Sequence, residues 1–379
     1  MVSKSVEETF NYFASQLKLL YTCQPYEDPL AARLREPFSG DVLELLLQCT
    51  EAPNKVCSLL KILPAVNEML GEVGAEVVED VPGKVAVRID RDFDIPMYLY
   101  EGPEGENAAL LFHFILARHR CVHCVEFLMS PSPRCGFQSV ICDALKSTPS
   151  LTCLHLGCFK MNKAATFSAL DAICRLLASE LRELSLEALG LFEEACASLD
   201  AWGRALASTT CLKRLKIIDV GVTVQETGRG MPVDFVATTL LALTGAASIS
   251  SLAVDASFAA HRCGASFKRM LANPSGPSEL SVRSTSHEYR RKANLAFEAL
   301  VANNTVKKLS VENFSLGPVD AKALSKLLAR SATIEDVSCA TSHWLVRKNW
   351  KTKAKQKLRL HAQHLVEAIS KTTSLRRLA

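Results

Sequence analysis

The sequence predicts an α/β solenoid: short parallel strands on a concave face, helices on a convex face, and a helical N-terminal cap with a hairpin in front. Three observations predict it. Val306–Thr333, VKKLSVENFSLGPVDAKALSKLLARSAT, alternates apolar and polar residues in its first half and then carries Ala321, Leu324, Leu327 and Leu328 on one helical stripe. That strand–turn–helix pattern recurs, with strand starts at Val122, Leu151, Leu181, Leu212, Ile249, Pro277, Val306, Ile334 and Leu375, separated by 29, 30, 31, 37, 28, 29, 28 and 41 residues. Finally, related helix ends precede most of these starts, among them ALASTTC, ALVANNT, LLARSAT and AISKTTS.

Three regions follow in order, 1–75, 76–106 and 107–379. In the first, Val6, Phe10, Phe13, Leu17 and Leu20 form an apolar stripe; Asp41–Cys49 reads as a helix capped by Ser39, and Lys55–Leu70 as a third helix broken at Pro64. These helices cap the array's open edge. In the second, VVEDVPGKVAVRI places Pro82-Gly83 between two alternating runs, the signal of a type II turn and a hairpin. A further strand is expected near Met97–Tyr100, then a helix over Asn107–Ala117. The third region is the array. Its last copy stops at LRRLA with no helix behind it, so the array reads as truncated at its C-terminus.

Most copies share the skeleton LxxLxL, as in LTCLHL, LRELSL, LKRLKI, ISSLAV and VKKLSV, with PSELSV and IEDVSC as weaker versions. These residues resemble leucine-rich repeats of the ribonuclease-inhibitor type, over roughly residues 107–379. The same repeat class forms the sensing arrays of NLR innate-immune proteins and the body of Ran GTPase-activating proteins. The chain departs from the class at the ninth skeleton position, where Asn or Cys would satisfy the turn after the strand. Here Ser130, Phe159, Leu189, Val220, Ser257, Thr285, Phe314 and Ser342 stand there. Four hydroxyls do part of that work and four apolar residues do not, so an irregular solenoid is expected.

Charged residues make up 22% of the chain and the hydrophobic set 48%, the balance of an ordinary folded protein rather than a disordered one. Residues 1–107 hold 19 acidic and 9 basic side chains, a net of −10; the remainder, with 21 and 35, nets +14. Opposite ends therefore suit each other or different partners. Lys4, Glu7 and Glu8 interrupt any signal-like start, and the 14 cysteines are scattered through apolar periods, which together suggest a reduced, cytoplasmic setting with nuclear entry open to it. Phe235–Val254 lacks formal charge over a membrane-spanning length, but its threonines, serines and glycine and the repeat register split it into helix, junction and strand. No transmembrane segment is expected.

Motifs for chemistry are sparse. Cys121-Val-His123-Cys124, with His119 just ahead, resembles half of a zinc site, yet no second CxxC exists. Cys121 also falls at the junction where other copies carry small residues such as Ser150, Cys211 and Thr305, which accounts for it without a metal. No GxSxG, P-loop or HExxH occurs. The expectation is a protein with no enzymatic activity, no cofactor and no metal.

Function is expected on the strand face, where alternate side chains point away from the core. The charged candidates there are Glu183, Glu187, Arg214, Lys216, Asp255, Glu279, Arg283, Lys308, Glu312 and Asp336. Glu183 and Glu187 stand beside Arg214 and Lys216 in the next strand, which fits cross-strand pairing. Mixed sign and few aromatics argue against a nucleic-acid groove and for a protein ligand. A second candidate is the basic insertion with Trp344, Arg347, Lys348, Trp350, Lys351, Lys353, Lys355, Lys357 and Arg359, in which seven of the thirteen residues from Arg347 to Arg359 are basic. It suits an acidic protein surface, an anionic membrane headgroup, a nuclear-import signal, or simply a solvated helix face.

The expected function is a non-enzymatic protein–protein interaction scaffold, related to innate-immune or other signalling recognition. Two alternatives stand beside it. One is a ubiquitin-ligase substrate receptor whose N-terminal helices bind an adaptor; the other is a small-GTPase regulator.

Overall fold

A computed structural model describes residues 49, 57–71, 75–89, 111, 113–128, 137–148, 150–157, 163–187, 190–191, 199–222, 233–260, 262–286, 288–339, 341–344, 359–360, 363, 365–370, 372 and 374–378. The helical stripe ahead of Asp41, most of the Asp41–Cys49 helix, the strand near Met97–Tyr100, the glycine-rich insertion after Val222 and the basic residues from Arg347 to Lys357 lie outside them. The chain divides into two compact units, 1–181 with 189–195, and 182–188 with 196–379.

The first unit opens with α1 (Ser58–Gly71), which runs straight through Pro64 rather than breaking there. Pro64 is exposed, so the Leu60 carbonyl it cannot bond lies on a face that water reaches. Next come β1 (Ala75–Val81) and β2 (Lys84–Ile89), the antiparallel hairpin the sequence predicts. Gly83 takes φ 79°, the left-handed value a type II turn demands at its second central position. Its N–H donates to Glu79 Oε1 at 2.7 Å.

Asn67 of α1 closes the free side of β1. Its Nδ2 donates to the Val77 carbonyl at 2.9 Å and its Oδ1 accepts from the Val77 N–H at 2.8 Å. One amide thus takes the place of a neighbouring strand at that residue. Helical residues 113–118 then lead into β3 (Val122–Phe127), which pairs in parallel with β2 and with β4 (Cys153–Gly157). Helices α2 (Phe137–Ser147) and α3 (Lys163–Leu177) pack on each other.

The second unit repeats strand and helix along the chain. Its strands are β5 (Glu183–Glu187), β6 (Arg214–Ile218), β7 (Ser251–Asp255), β8 (Glu279–Arg283), β9 (Lys308–Glu312), β10 (Asp336–Ser338) and β11 (Arg377–Leu378). Each pairs in parallel with the next, in that order. Between them come α4 (Leu199–Ser208), α5 (Val233–Leu243), α6 (Gly264–Leu271), α7 (Ala293–Leu300) and α8 (Pro318–Arg330). This is an alternating α/β repeat with a parallel sheet.

β3 begins at Val122, as the alternation suggests; from β4 onward the strands begin two residues later than it suggests. Leu151, Leu181, Leu212, Ile249, Val306 and Ile334, read as first strand residues, are buried in the turn ahead of the ladder. Backbone hydrogen bonding explains the offset. The Arg182 carbonyl accepts from both Lys213 and Arg214 N–H, and the same double acceptance recurs at Lys213, Ser250, Ser278, Lys307 and Glu335. One carbonyl per repeat is therefore spent on turning the chain, and regular pairing starts just after it.

Burial follows the skeleton. Leu184, Leu186, Leu215, Ile217, Leu252, Val254, Leu280, Val282, Leu309 and Val311 are at most 2% exposed, while the residues between them stand on the other face. Each such side chain contributes about 1.5–3 kcal/mol through burial. The uncharged stretch Phe235–Val254 resolves into most of α5, a turn and the start of β7. Among the described residues no helix is long and apolar enough to cross a membrane.

Candidate functional site

The strand face of the second unit carries charged side chains in rows, because parallel pairing sets equivalent residues side by side. Glu183 lies opposite Arg214, and Glu187 opposite Ile218. Arg214 donates through Nε to Glu183 Oε2 at 2.8 Å and also through Nη2. Lys216 Nζ reaches Glu187 Oε2 at 2.7 Å, and Arg283 Nη1 reaches Glu187 Oε1 at 2.9 Å across the two intervening strands. Lys308 Nζ meets Glu279 Oε1 at 2.6 Å, which holds the Lys308 ammonium above its ordinary range. Glu312 Oε1 accepts from Ser281 at 3.0 Å and Ser310 at 3.1 Å. Asp336, half-buried, lies opposite Lys308 in the next strand. These groups are spent largely on one another.

Asp255 differs from the expectation. It is 3% exposed and does not stand on the open face. Its Oδ1 accepts from the Ser257 N–H at 2.8 Å, capping a short 3₁₀ turn, and its Oδ2 accepts from Thr285 Oγ1 at 2.6 Å. The sequence signal was the Asp-x-Ser spacing, which favours a carboxylate folding back onto the backbone two residues on.

The turns after the strands show how the departures at the ninth position are met. Ser342 Oγ donates to the Val311 carbonyl at 2.9 Å and accepts from the Phe314 N–H at 3.0 Å, satisfying backbone in the preceding repeat. Val220 and Phe314 are buried, at 0% and 1% exposed, so those repeats trade the polar contact for apolar packing. One residue earlier, Asp219, Asn313 and Thr341 take φ of 52°, 60° and 58°. Asp and Asn tolerate that left-handed conformation and a β-branched Thr does not. Thr341 Oγ1 accepts from the Asn313 N–H at 3.0 Å, a contact that offsets part of its strain.

A second group of reactive side chains lies in the first unit. Cys49, Cys57, His119 and Cys121 bring one ligand atom each to within 4.8 Å of one another. Cys57 Sγ is 3.2 Å from His119 Nδ1, Cys121 Sγ is 3.5 Å from Cys57 Sγ, and Cys121 Sγ is 3.8 Å from His119 Nδ1. Hydrogen bonding from Cys121 draws the Cys57 thiol well below its ordinary range against the opposing effect of burial, and pushes Cys121 above it. The CxxC-like run divides instead of acting together. His123 Nε2 meets Asp80 Oδ1 at 2.6 Å, and Cys124 is buried opposite Cys153 on β4. Cys49 and Cys57, the partners the sequence did not supply for Cys121, lie 72 and 64 residues ahead of it, beyond the reach of spacing rules.

Of the basic insertion, the backbone of Trp344 forms a short strand pair with Leu316, and Arg359 is exposed on a helical residue. Compared with known protein families and with curated proteins, the sequence matches none.

Proposed function

We propose that this chain is a divergent leucine-rich-repeat protein of the ribonuclease-inhibitor type, acting as a non-enzymatic scaffold that binds a protein ligand across its strand face. One observation carries the reading. Five successive parallel strands, Glu183–Glu187 through Lys308–Glu312, hold charged and hydroxyl side chains in matched register on one face. Their alternate residues are buried on the other face. Such a surface is broad and polar, built for distributed contacts rather than for one small molecule held in a deep apolar pocket. Its pairs are internally compensated, so a partner gains specificity by matching charge pattern more than by raw attraction.

Cross-linking mass spectrometry of the intact protein in lysate tests this. Lys216 and Lys308 should link to one protein, and K216E/K308E should remove that protein while the chain stays folded. Links confined to outward helix lysines such as Lys322 and Lys326 would place recognition on the helical side and overturn the proposal.

A further inference from the structure

We propose that Cys49, Cys57, His119 and Cys121 bind one zinc ion in a closed Cys₃His site that fastens the segment ahead of α1 to the turn entering β3.

The distances fit a single tetrahedral ion. Zinc–sulfur bonds of about 2.3 Å and zinc–nitrogen bonds of about 2.0–2.1 Å place two thiolates roughly 3.8 Å apart and a thiolate roughly 3.6 Å from the imidazole nitrogen. The observed separations of 3.5 Å between sulfurs and 3.2 and 3.8 Å from sulfur to nitrogen straddle those values. A disulfide between Cys57 and Cys121 would need its sulfurs near 2.05 Å and would leave a third thiol and the imidazole unused. An iron–sulfur cluster would spread its ligands wider than 4.8 Å. Three soft thiolates with one imidazole suit zinc.

The ligands sit on backbone that the fold already fixes. Cys57 immediately precedes α1, and its carbonyl accepts from the Leu60 N–H at 3.1 Å. His119 and Cys121 lie in the tight turn between helical residues 113–118 and β3. That turn is held by His119 N–H to the Ile115 carbonyl at 3.0 Å and Val122 N–H to the His119 carbonyl at 3.2 Å. The Cys121 carbonyl accepts from Val85 N–H at 2.9 Å, tying the turn to the hairpin. Cys49 stands ahead of these elements, with its Sγ already within 4.8 Å of the other three ligand atoms.

The burial suits a closed site. His119 is 0% exposed, Cys57 5% and Cys121 7%, and His119 Nε2 has no hydrogen-bond partner among the described residues. Nδ1 is the ring nitrogen turned to the two thiols, so it is the atom placed to bind a metal. Binding replaces three thiol protons: Zn²⁺, three thiols and the neutral imidazole give a complex of net charge −1 and three released protons. With four protein ligands no position remains for water, so the ion is structural and not catalytic.

The test uses the full chain expressed with zinc available. Elemental analysis should find about one zinc per chain, and C57S/C121S should lose it. Because that variant risks misfolding, H119C supplies a second arm: it exchanges the imidazole for a fourth thiolate and should keep the ion. Replacing zinc with cobalt should give the visible absorption of a tetrahedral thiolate-bound ion. A folded, metal-free wild type, a disulfide detected by mass among these cysteines, or zinc that persists in C57S/C121S would each overturn the proposal.

Discussion

Asn303 donates its Nδ2 to the Leu271 carbonyl at 2.6 Å, so the next repeat completes the last turn of α6. The final carbonyls of a helix have no partner within it. Here the following repeat supplies one, and the device recurs: Asn273 donates to Thr244 at 2.7 Å and Thr372 Oγ1 to Leu328 at 2.9 Å. Asn303 Oδ1 also accepts from Thr305 and Val306 N–H, at 3.1 and 2.8 Å, shaping the turn into β9. N303A should therefore destabilise the second unit by about 2–3 kcal/mol. Urea unfolding should show a lower midpoint with an unchanged slope.

Trp202 and Gly203 set the fit between α4 and α5. The Trp202 indole donates to Thr239 Oγ1 at 3.0 Å and stacks on Phe235 at 5.8 Å between ring centroids. A Cβ on Gly203 would come within 2.8 Å of Thr238 Cγ2. G203A should cost about 1–3 kcal/mol through overpacking. T238S removes the obstructing methyl, so the double variant G203A/T238S should recover much of that loss. A double-mutant cycle read by thermal or urea unfolding measures the coupling, which should be clearly non-additive.

Glu187 is shared by Lys216 and Arg283, whose side chains are 39% and 38% exposed. Pairs this open contribute little to folding, in the range of about 0–1 kcal/mol, and salt screens them. E187Q should lower stability by less than about 1 kcal/mol, with the loss shrinking at high salt. A larger effect on binding of a captured protein than on unfolding would mark Glu187 as a recognition residue. Equal small effects would leave it as a structural pair.

The strand face, the hairpin turn at Gly83 and the split of Phe235–Val254 were legible because each rests on a local signal: period two, a Pro-Gly turn, or a change of period. What escaped the sequence depends on contacts between distant residues. From β6 onward the strands start two residues late because a carbonyl of the preceding repeat takes two N–H groups, as Lys213 does from Ser250 and Ser251. α1 passes through Pro64 because the exposed face and tertiary packing outweigh the lost hydrogen bond, a balance that propensity does not contain. Asp255 looks like a surface acid by its place in the alternation; the Asp-x-Ser spacing signals its cap on Ser257, but its burial also rests on Thr285 of the neighbouring repeat, which no local signal supplies. Cys49 and Cys57 carried no local signal at all; the fold joins them to His119 and Cys121.

Asp320 gives a dependence on pH with a definite sign. It is 3% exposed near the start of α8, where Oδ2 accepts from Gly317 N–H at 2.7 Å and Oδ1 from Asn294 N–H at 2.8 Å. Burial raises its pKa above the ordinary carboxylate value, although both N–H donors oppose the shift. In the window between the unfolded and folded values, the native state holds a proton that the unfolded chain has released. Stability from this group is therefore fully present below the ordinary carboxylate pKa and is lost as pH rises through the folded one. D320N cannot titrate, and its amide sets a donor against one of the two N–H groups, so it should be less stable at every pH. The gap between wild type and D320N should be widest in acid and narrow as pH rises, which unfolding midpoints across a pH series will measure. A gap that widens with pH would mean that the two N–H donors outweigh burial and hold the folded carboxylate below its ordinary value.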